Sequence, residues 1–468
     1  MSEPERTFDI TILGAGPGGY VAAIRAAQLG LRTAVVEMAP LPGGTCLHRG
    51  CIPTKALLRA AEVLEIARKA PAYGVKVLPA QLDLAATQRY KERVVLTNAK
   101  GVEYLLRKNG VTVLRGRGRL AGRGRVEVAP ADGDPFVVST RHTILATGSE
   151  IRGLPGIEFD GRRILHSDHA LGLTEVPSSL AVLGAGAVGV EFASIFASFG
   201  AKVTIVEILP RLVPIEDAAL GDELEKSFRK RGIESHVGTR VEGVIAGEKG
   251  VRIEASRDGR PVSIEAEALL VAVGRRPVTG DLGLEGTGVR LDRGFVETDG
   301  RMRTGEPGVY AIGDIVKTPA LAHVASHEGI VAAEDAAGAD PLPVDYDRIP
   351  SCTYCDPEVA SVGLSEEEAR RRGHDVAVGS FPFSAVGKAR VLNDTRGFVK
   401  LVAERKHDRI LGVHVVGPHA TELIAEATAA LSLDATVASL VHTVHAHPTL
   451  SEAIGEAALA AHGRSLHI

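Results

Sequence analysis

One internal repeat constrains this chain more than any other feature. Residues Phe8–Glu37 read FDITILGAGPGGYVAAIRAAQLGLRTAVVE, and residues Ser178–Glu207, offset by 170, read SSLAVLGAGAVGVEFASIFASFGAKVTIVE. Each copy has an apolar run, a G-x-G-x-x-G loop, an Ala-rich stretch, a stop glycine, a second β-branched run and a terminal Glu. The runs Ile10–Leu13 and Leu180–Leu183 are continuous rather than alternating, which predicts strands buried on both faces of a parallel sheet. The helices that follow are expected to stop at Gly30 and Gly200. Two βαβ units in one chain predict two doubly wound domains.

A lone G-x-G-x-x-G says little, but here a strand precedes each loop, a helix follows it, and an acid lies 18 residues past the last glycine. In that fingerprint Gly14 permits the tight turn, Gly16 lets backbone approach a pyrophosphate, and Gly19 allows close helix–strand packing. Gly184, Gly186 and Gly189 repeat those roles. The helix N-terminus offers free N–H donors and the positive end of its dipole to the phosphates. Glu37 and Glu207 would accept from ribose hydroxyls. A carboxylate at that position repels a 2′-phosphate, so Glu207 favours NAD over NADP, with nearby Arg211 read as a surface or pairing residue. The plainer alternative, glycines serving only strand–helix packing, does not explain two complete copies. Two sites suggest two different dinucleotides, one of them a bound flavin that relays electrons.

Each unit has a later glycine return, Thr143–Gly148 (TILATG) and Leu269–Gly274 (LLVAVG), and a third run, Val309–Asp314 (VYAIGD), ends in an acid. Residues 82–109 pattern as a long amphipathic helix and 116–134 as a Gly-rich hairpin region. From about Pro341 the texture changes: β-rich stretches Phe398–Ala403 and Ile410–Val416 precede an Ala-rich helix from Thr421, predicting a separate α+β domain. Composition excludes other classes. With 45% apolar and 24% charged residues and a net charge of −4, the chain is neither disordered nor built to cover nucleic acid. Four cysteines in 468 residues are no secreted disulfide framework. The first residues lack a basic-then-apolar signal pattern, and no apolar run approaches the roughly 18–20 residues that cross a bilayer. The expectation is a soluble, cytoplasmic protein with no membrane partner.

Between the first βαβ unit and the next helix lies Gly43–Lys55, GGTCLHRGCIPTK. A Cys46–Cys51 bridge would close a loop of four intervening residues, too short for much chain-entropy stabilisation, and strained local bridges are the reducible ones. Cys51 opens a helical run, where the dipole favours a thiolate; Pro53 suits a first turn, and Lys55 lies one turn on, on the same face. Reduced, unreactive thiols are the alternative for an ordinary pair, and the adjoining dinucleotide loop weighs against it.

The whole chain resembles the flavin-dependent pyridine nucleotide–disulfide oxidoreductases, most closely the branch that oxidises dihydrolipoamide. The resemblance rests on GAGPGGY at 14–20, GGTCL and GCIPTK within 43–55, GAGAVGVE at 184–191, AIGD at 311–314 and HAHPTLSE at 445–452. It implies an α/β fold: two doubly wound Rossmann-like dinucleotide-binding domains plus a C-terminal α+β interface (dimerisation) domain, in a homodimer. The implied division is 1–150 for FAD, 151–276 for NAD, 277–345 for a central domain completing the FAD site and 346–468 for the interface domain. In that pattern Cys46 exchanges with substrate and Cys51 faces the flavin as its charge-transfer partner. Lys55 and Glu191 match the pair near the flavin's reactive nitrogen, and Asp314 matches the acid on the ribityl chain. Further cofactor contacts are implied at Gly44, Thr45, Gly118, Thr147, Gly148, Ala322, His323, Val241 and Gly274.

His442, His445 and His447 invite a metal reading, but no carboxylate or thiol completes a site nearby in sequence. His447 precedes Pro448, which predicts extended backbone, and Thr449 to Glu452 fits a capping box with Glu452 at the third helical position. The resemblance instead makes His447 and Glu452 an acid–base dyad supplied by the partner subunit, with Glu452 orienting the imidazole. Such a base suits dithiol oxidation, which must remove a thiol proton near neutral pH. The substrates so implied are lipoylated carrier proteins of 2-oxoacid dehydrogenase or glycine cleavage complexes, the lipoyl group coming from another chain.

Two features depart from the pattern or stand outside it. His48 and Arg49 lie between the paired cysteines, where the family commonly has Asn-Val, and they could alter thiol pKa or substrate preference. Cys352 and Cys355 form a C-x-x-C with no second ligand pair, read as idle thiols in a strand. A glutathione-type reductase is disfavoured by Glu207 and by HPTLSE. Mercuric or large thioredoxin reductases are disfavoured because Arg464–Ile468 carries no extra redox pair. A non-catalytic docking subunit would not need both loops, the cysteines and the dyad.

Overall fold

The computed structural model describes residues 6–468. Met1–Glu5, on which part of the reading of the N-terminus rests, lie outside them. The chain divides into two compact units: residues up to 56 with 88–152 and 275–346, and residues 57–87 with 153–274 and 347–468.

The first unit is built on a parallel sheet in the order Thr112–Arg115, Thr33–Glu37, Thr7–Leu13, Phe136–Leu145, with Val309–Ala311 pairing beyond the last of these. The earlier half of Phe136–Leu145 pairs antiparallel with Arg125–Ala129, which pairs with Arg117–Leu120; this is the expected hairpin. Alternation along Thr7–Leu13 sends Ile10 and Ile12 to one core and Leu13 to another. Both faces are therefore buried, which is why the run reads as continuous. On the first face lie the helices Pro17–Gln28, through Ala22, Ala23 and Ala26, and Leu84–Lys108, through Ala99, Val102 and Leu106. Pro17–Gln28 is poor in large side chains for a reason. A Cβ on Gly18 would sit 2.8 Å from the Ala325 carbonyl oxygen, and one on Gly329 2.6 Å from the Gly18 oxygen. Its backbone thus meets that of helix Ala322–Ala336 directly.

The second unit repeats the design. Its parallel sheet runs Glu234–His236, Lys202–Val206, Ser179–Leu183, Ala268–Val271, Ile164–Leu165. An antiparallel ribbon of Thr239–Gly247, Gly250–Arg257 and Arg260–Ala266 accompanies it. The segment from residue 347 forms a five-stranded antiparallel sheet, Ser351–Thr353, Glu358–Gly363, Arg409–Gly417, Phe398–Glu404, Val376–Pro382. Helices Ala420–Ser432 and Glu452–Ala461 bury Ile424, Ala427, Ile454 and Ala457 in a core with Val413, Val415 and Leu401 of that sheet. No described helix is long and apolar enough to cross a membrane.

Candidate active site

The two glycine loops have nearly the same geometry. Gly14 has φ +104° and Gly184 φ +102°, the left-handed region that glycine tolerates. A Cβ on either would lie 2.4 Å from a carbonyl oxygen, of Ala146 or Ala272. Gly19 and Gly189 are closed more tightly, with a Cβ meeting the Gly14 or Gly184 oxygen at 1.9 Å. The middle glycines are different. Gly186 has nothing within 4 Å of a Cβ, and Gly16 only Gly44 Cα at 3.9 Å, so each lies open on the side where a phosphate would approach. No side chain caps helix Pro17–Gln28 or Ala187–Phe199 at Gly16 or Gly186. This openness, repeated in both units, fits one dinucleotide at each loop.

Glu37 and Glu207 do more than their sequence positions suggest. The Glu37 carboxylate accepts the N–H of Ala15 and of Ala39, both at 2.8 Å. Glu207 accepts from Ala185 at 2.7 Å and Leu209 at 2.8 Å. Each acid therefore ties the glycine loop to the end of the second strand, and a carboxylate with two such donors has lone pairs left to accept from others.

Cys46, in the short helix Gly44–Arg49, is disulfide-bonded to Cys51, the first residue of Cys51–Lys69, with 4.8 Å between Cα atoms. A Cβ on Gly44 would come 2.5 Å from Gly16 Cα, so the helix bearing Cys46 starts against the first phosphate loop, with Thr45 next in line. Between the cysteines Gly50 packs closely, its Cβ position 3.1 Å from the Thr45 oxygen, and its own carbonyl accepts the Thr54 hydroxyl at 2.7 Å. His48 turns its Nε2 to the carbonyls of Leu41 at 3.2 Å and Pro42 at 3.0 Å. Lys55 follows Cys51 by one helical turn.

Other expected cofactor residues of the first unit lie on its strand ends and on the helix Ala322–Ala336. Thr147 donates its hydroxyl to the Val278 carbonyl at 2.6 Å, and Gly148 accepts the Val278 N–H at 2.9 Å. The next residue, Ser149, hydrogen-bonds through its hydroxyl to Asp314 Oδ2 and takes contacts from Arg275. Ala322 and His323 open helix Ala322–Ala336. Gly118, on Arg117–Leu120, faces the strands Thr7–Leu13 and Thr33–Glu37: its Cβ position is 2.7 Å from Leu13 Cδ2 and 3.1 Å from Val36 Cγ1. Sequence reading missed Ser149 and Arg275. Each directly follows a strand-end glycine, Gly148 or Gly274, and that shared position was the available signal.

In the second unit Glu191 is buried and accepts the Tyr354 N–H at 2.9 Å. Val241 sits opposite Ala255 beside a bulge, and Gly274 has φ +107°. His447 Nδ1 lies 2.9 Å from Glu452 Oε1, while Glu452 Oε2 accepts the Thr449 N–H at 2.8 Å. The expected capping box is only half formed. Glu452 is the first helical residue, not the third, and the Thr449 hydroxyl turns to the Ala446 carbonyl at 2.7 Å instead of to the helix. Burial pushes the Glu452 carboxyl up, but the hydrogen bonds from His447 and Thr449 outweigh it and hold it below the usual value. The His447 side chain is 78% exposed, with Nε2 directed away from Glu452. Neighbouring His445 is used otherwise, paired through Nε2 with Glu426 at 2.7 Å.

Of the remaining cysteines, Cys352 lies in Ser351–Thr353, but Cys355 lies beyond that strand rather than in it. Burial, with the charges of Glu191 and Asp356, pushes the Cys355 thiol well up, so it is a poor nucleophile.

Comparison with known proteins shows the family. The family model described as pyridine nucleotide-disulphide oxidoreductase matches residues 8–329, and that family's dimerisation domain matches residues 349–458. A dihydrolipoyl dehydrogenase of Bacillus subtilis is 46% identical over 470 residues, spanning 98% of this chain and 99% of the relative. The mitochondrial dihydrolipoyl dehydrogenase of Pisum sativum is 42% identical over 464 residues, 98% of this chain and 92% of the relative. Among solved structures, LpdA from Mycobacterium tuberculosis superposes with a TM-score of 0.89 at 30% identity, covering 96% of this chain and 98% of that one. The HOCl-induced flavoprotein disulfide reductase RclA from Escherichia coli, in a Cu(II) complex, gives 0.85 at 27% identity, covering 97% and 99%.

Proposed function

The chain belongs to the pyridine nucleotide–disulphide oxidoreductase family, and on that premise we propose that it oxidises protein-bound dihydrolipoyl groups to lipoyl groups with NAD⁺ as acceptor. The observation that carries the proposal is the Cys46–Cys51 disulfide, on a helix whose first residue packs on the first phosphate loop.

The chemistry assigns each residue a task. A dihydrolipoyl thiolate attacks Cys46 Sγ, forming a mixed disulfide and releasing Cys51 as a thiolate. Cys51, at a helix N-terminus, is placed to carry that charge. His447 Nε2, from the second subunit of a homodimer, takes the proton of the remaining lipoyl thiol, and Glu452 keeps the resulting imidazolium paired. That second thiolate attacks the lipoyl sulfur of the mixed disulfide and expels Cys46. The lipoyl group has then lost two electrons and the cysteine pair has gained them. FAD, held along Gly14, Gly16, Gly19, Glu37 and Asp314, supplies when bound the two-electron relay from the cysteine pair to NAD⁺. NAD⁺ would lie along Gly184, Gly186, Gly189 and Glu207, whose carboxylate disfavours a 2′-phosphate. His48 is engaged by backbone carbonyls, which supports a structural task for it more than a direct effect on the thiols. The division into FAD, NAD, central and interface domains, and lipoylated carrier proteins as partners, belong to the same proposal.

Two single mutants test the thiol assignment. Reduced Cys46→Ser holoenzyme should keep a thiolate–flavin charge-transfer absorption that reduced Cys51→Ser lacks. If both behave alike, the two thiols have been assigned wrongly.

A further inference from the structure

The Asp314 carboxylate ends a chain of contacts whose hydrogen-bond directions follow from chemistry. A guanidinium has donors only. Arg275 therefore donates from Nε to Ser149 Oγ at 2.7 Å and from Nη2 to the Ser149 carbonyl at 2.6 Å. The Ser149 hydroxyl has one proton; since Arg275 occupies a lone pair, that proton points to Asp314 Oδ2. No other hydrogen bond from a described residue reaches Asp314, which leaves Oδ1 as an acceptor.

The backbone is clamped from the other side. Asp314 lies in the single turn Gly313–Ile315, and Gly313, at φ +70°, gives its N–H to Glu328 Oε2 at 2.6 Å. Glu328 is fully buried and accepts the Tyr346 hydroxyl on its other oxygen at 2.9 Å. The ribbon that brings Arg275 to Ser149 pairs Arg275–Pro277 with Ser149–Ile151, residues 126 apart in the chain. A carboxylate held from both ends binds a ligand hydroxyl with little further loss of side-chain freedom.

We infer that Arg275 and Ser149 are positioning residues for cofactor binding. They orient Asp314 so that its free oxygen accepts hydroxyls of a polyol chain, the ribityl segment of FAD. The inference rests on the proposed placement of the flavin at Asp314.

The test is a double-mutant cycle read by FAD affinity of the apoprotein, by fluorescence titration, with apoprotein melting temperature as the folding control. Ser149→Ala should raise the FAD Kd about tenfold or more, the loss of one hydrogen bond to a charged group. Ser149→Thr, which keeps the hydroxyl, should restore most of the affinity. Arg275→Lys, which loses the fork, should weaken binding in the same direction. Ser149→Ala combined with Asp314→Asn should be no worse than Asp314→Asn alone, because the serine acts through the acid. A purely structural serine would instead add its effect to that of Asp314→Asn. If Asp314→Asn weakens FAD binding while Ser149→Ala does not, or if the two effects add, the relay is overturned. If Asp314→Asn itself leaves FAD affinity unchanged, the flavin's placement is overturned, and the relay's ligand with it.

Discussion

His447 shows Nδ1 to Glu452 and leaves Nε2 exposed, so a proton taken by this ring arrives at one defined nitrogen. His447→Gln should slow dihydrolipoyl oxidation by about 10²–10⁴, the usual contribution of a general base. NADH-driven reduction of an artificial dye, which needs no thiol proton transfer, should stay near wild type. Comparable losses in both assays would contradict the assignment. Glu452 also carries a pH signature. Its folded pKa is depressed, so it adds stability above its unfolded value of about 4.3, and that stability is lost as pH falls through the folded value. Urea midpoints should therefore fall more steeply on acidification below about pH 5 in the wild type than in Glu452→Gln. At this scale the chemistry-bearing residues of short motifs were readable, and their supports were not. Cys46 and Cys51 stand in one run of sequence, but Ser149 and Arg275 meet only because two short strands pair across the chain. Likewise Glu452 keeps one half of the capping pattern by accepting the Thr449 N–H, but its other oxygen goes to His447 and the Thr449 hydroxyl turns to Ala446, contacts the local pattern does not announce.

The two glycine loops separate folding from binding within one element. Gly184 cannot take a side chain without strain, both from its left-handed backbone and from the Ala272 oxygen 2.4 Å from a Cβ. Gly186 can, since its Cβ would meet nothing within 4 Å. Gly186→Ala should thus melt like wild type while raising KM for NAD⁺ about tenfold, as the methyl holds the pyrophosphate off its N–H donors. An unchanged KM would show that no phosphate lies over that loop. Gly184→Ala should lower the melting temperature as well. The elements themselves were largely legible, because a strand buried on both faces and a helix of small residues each have one plain pattern. The reason for the small residues was not: Gly18 and Gly329 mark a backbone contact between helices some 300 residues apart in sequence, visible only once they are packed.

At the scale of the molecule, each compact unit is assembled from three separated stretches of chain, so distant segments share a core that no local pattern announces. The disulfide belongs to the first unit and the His447–Glu452 pair to the second, and the latter pair lies within residues 349–458, which match a dimerisation domain. If His447 serves the partner's disulfide, Cys46→Ser and His447→Gln homodimers, each inactive, should recover activity when dissociated and reassociated together. Random pairing leaves one intact site in half of the dimers, so roughly a quarter of wild-type turnover should return. No recovery would place cysteines and histidine of one site on the same chain. The central claim is the reaction itself, and steady-state turnover of the FAD-loaded enzyme tests it most directly. Dihydrolipoamide with NAD⁺ should be oxidised rapidly, while glutathione disulfide with NADPH should give no reduction; turnover with the second pair and none with the first would contradict the account.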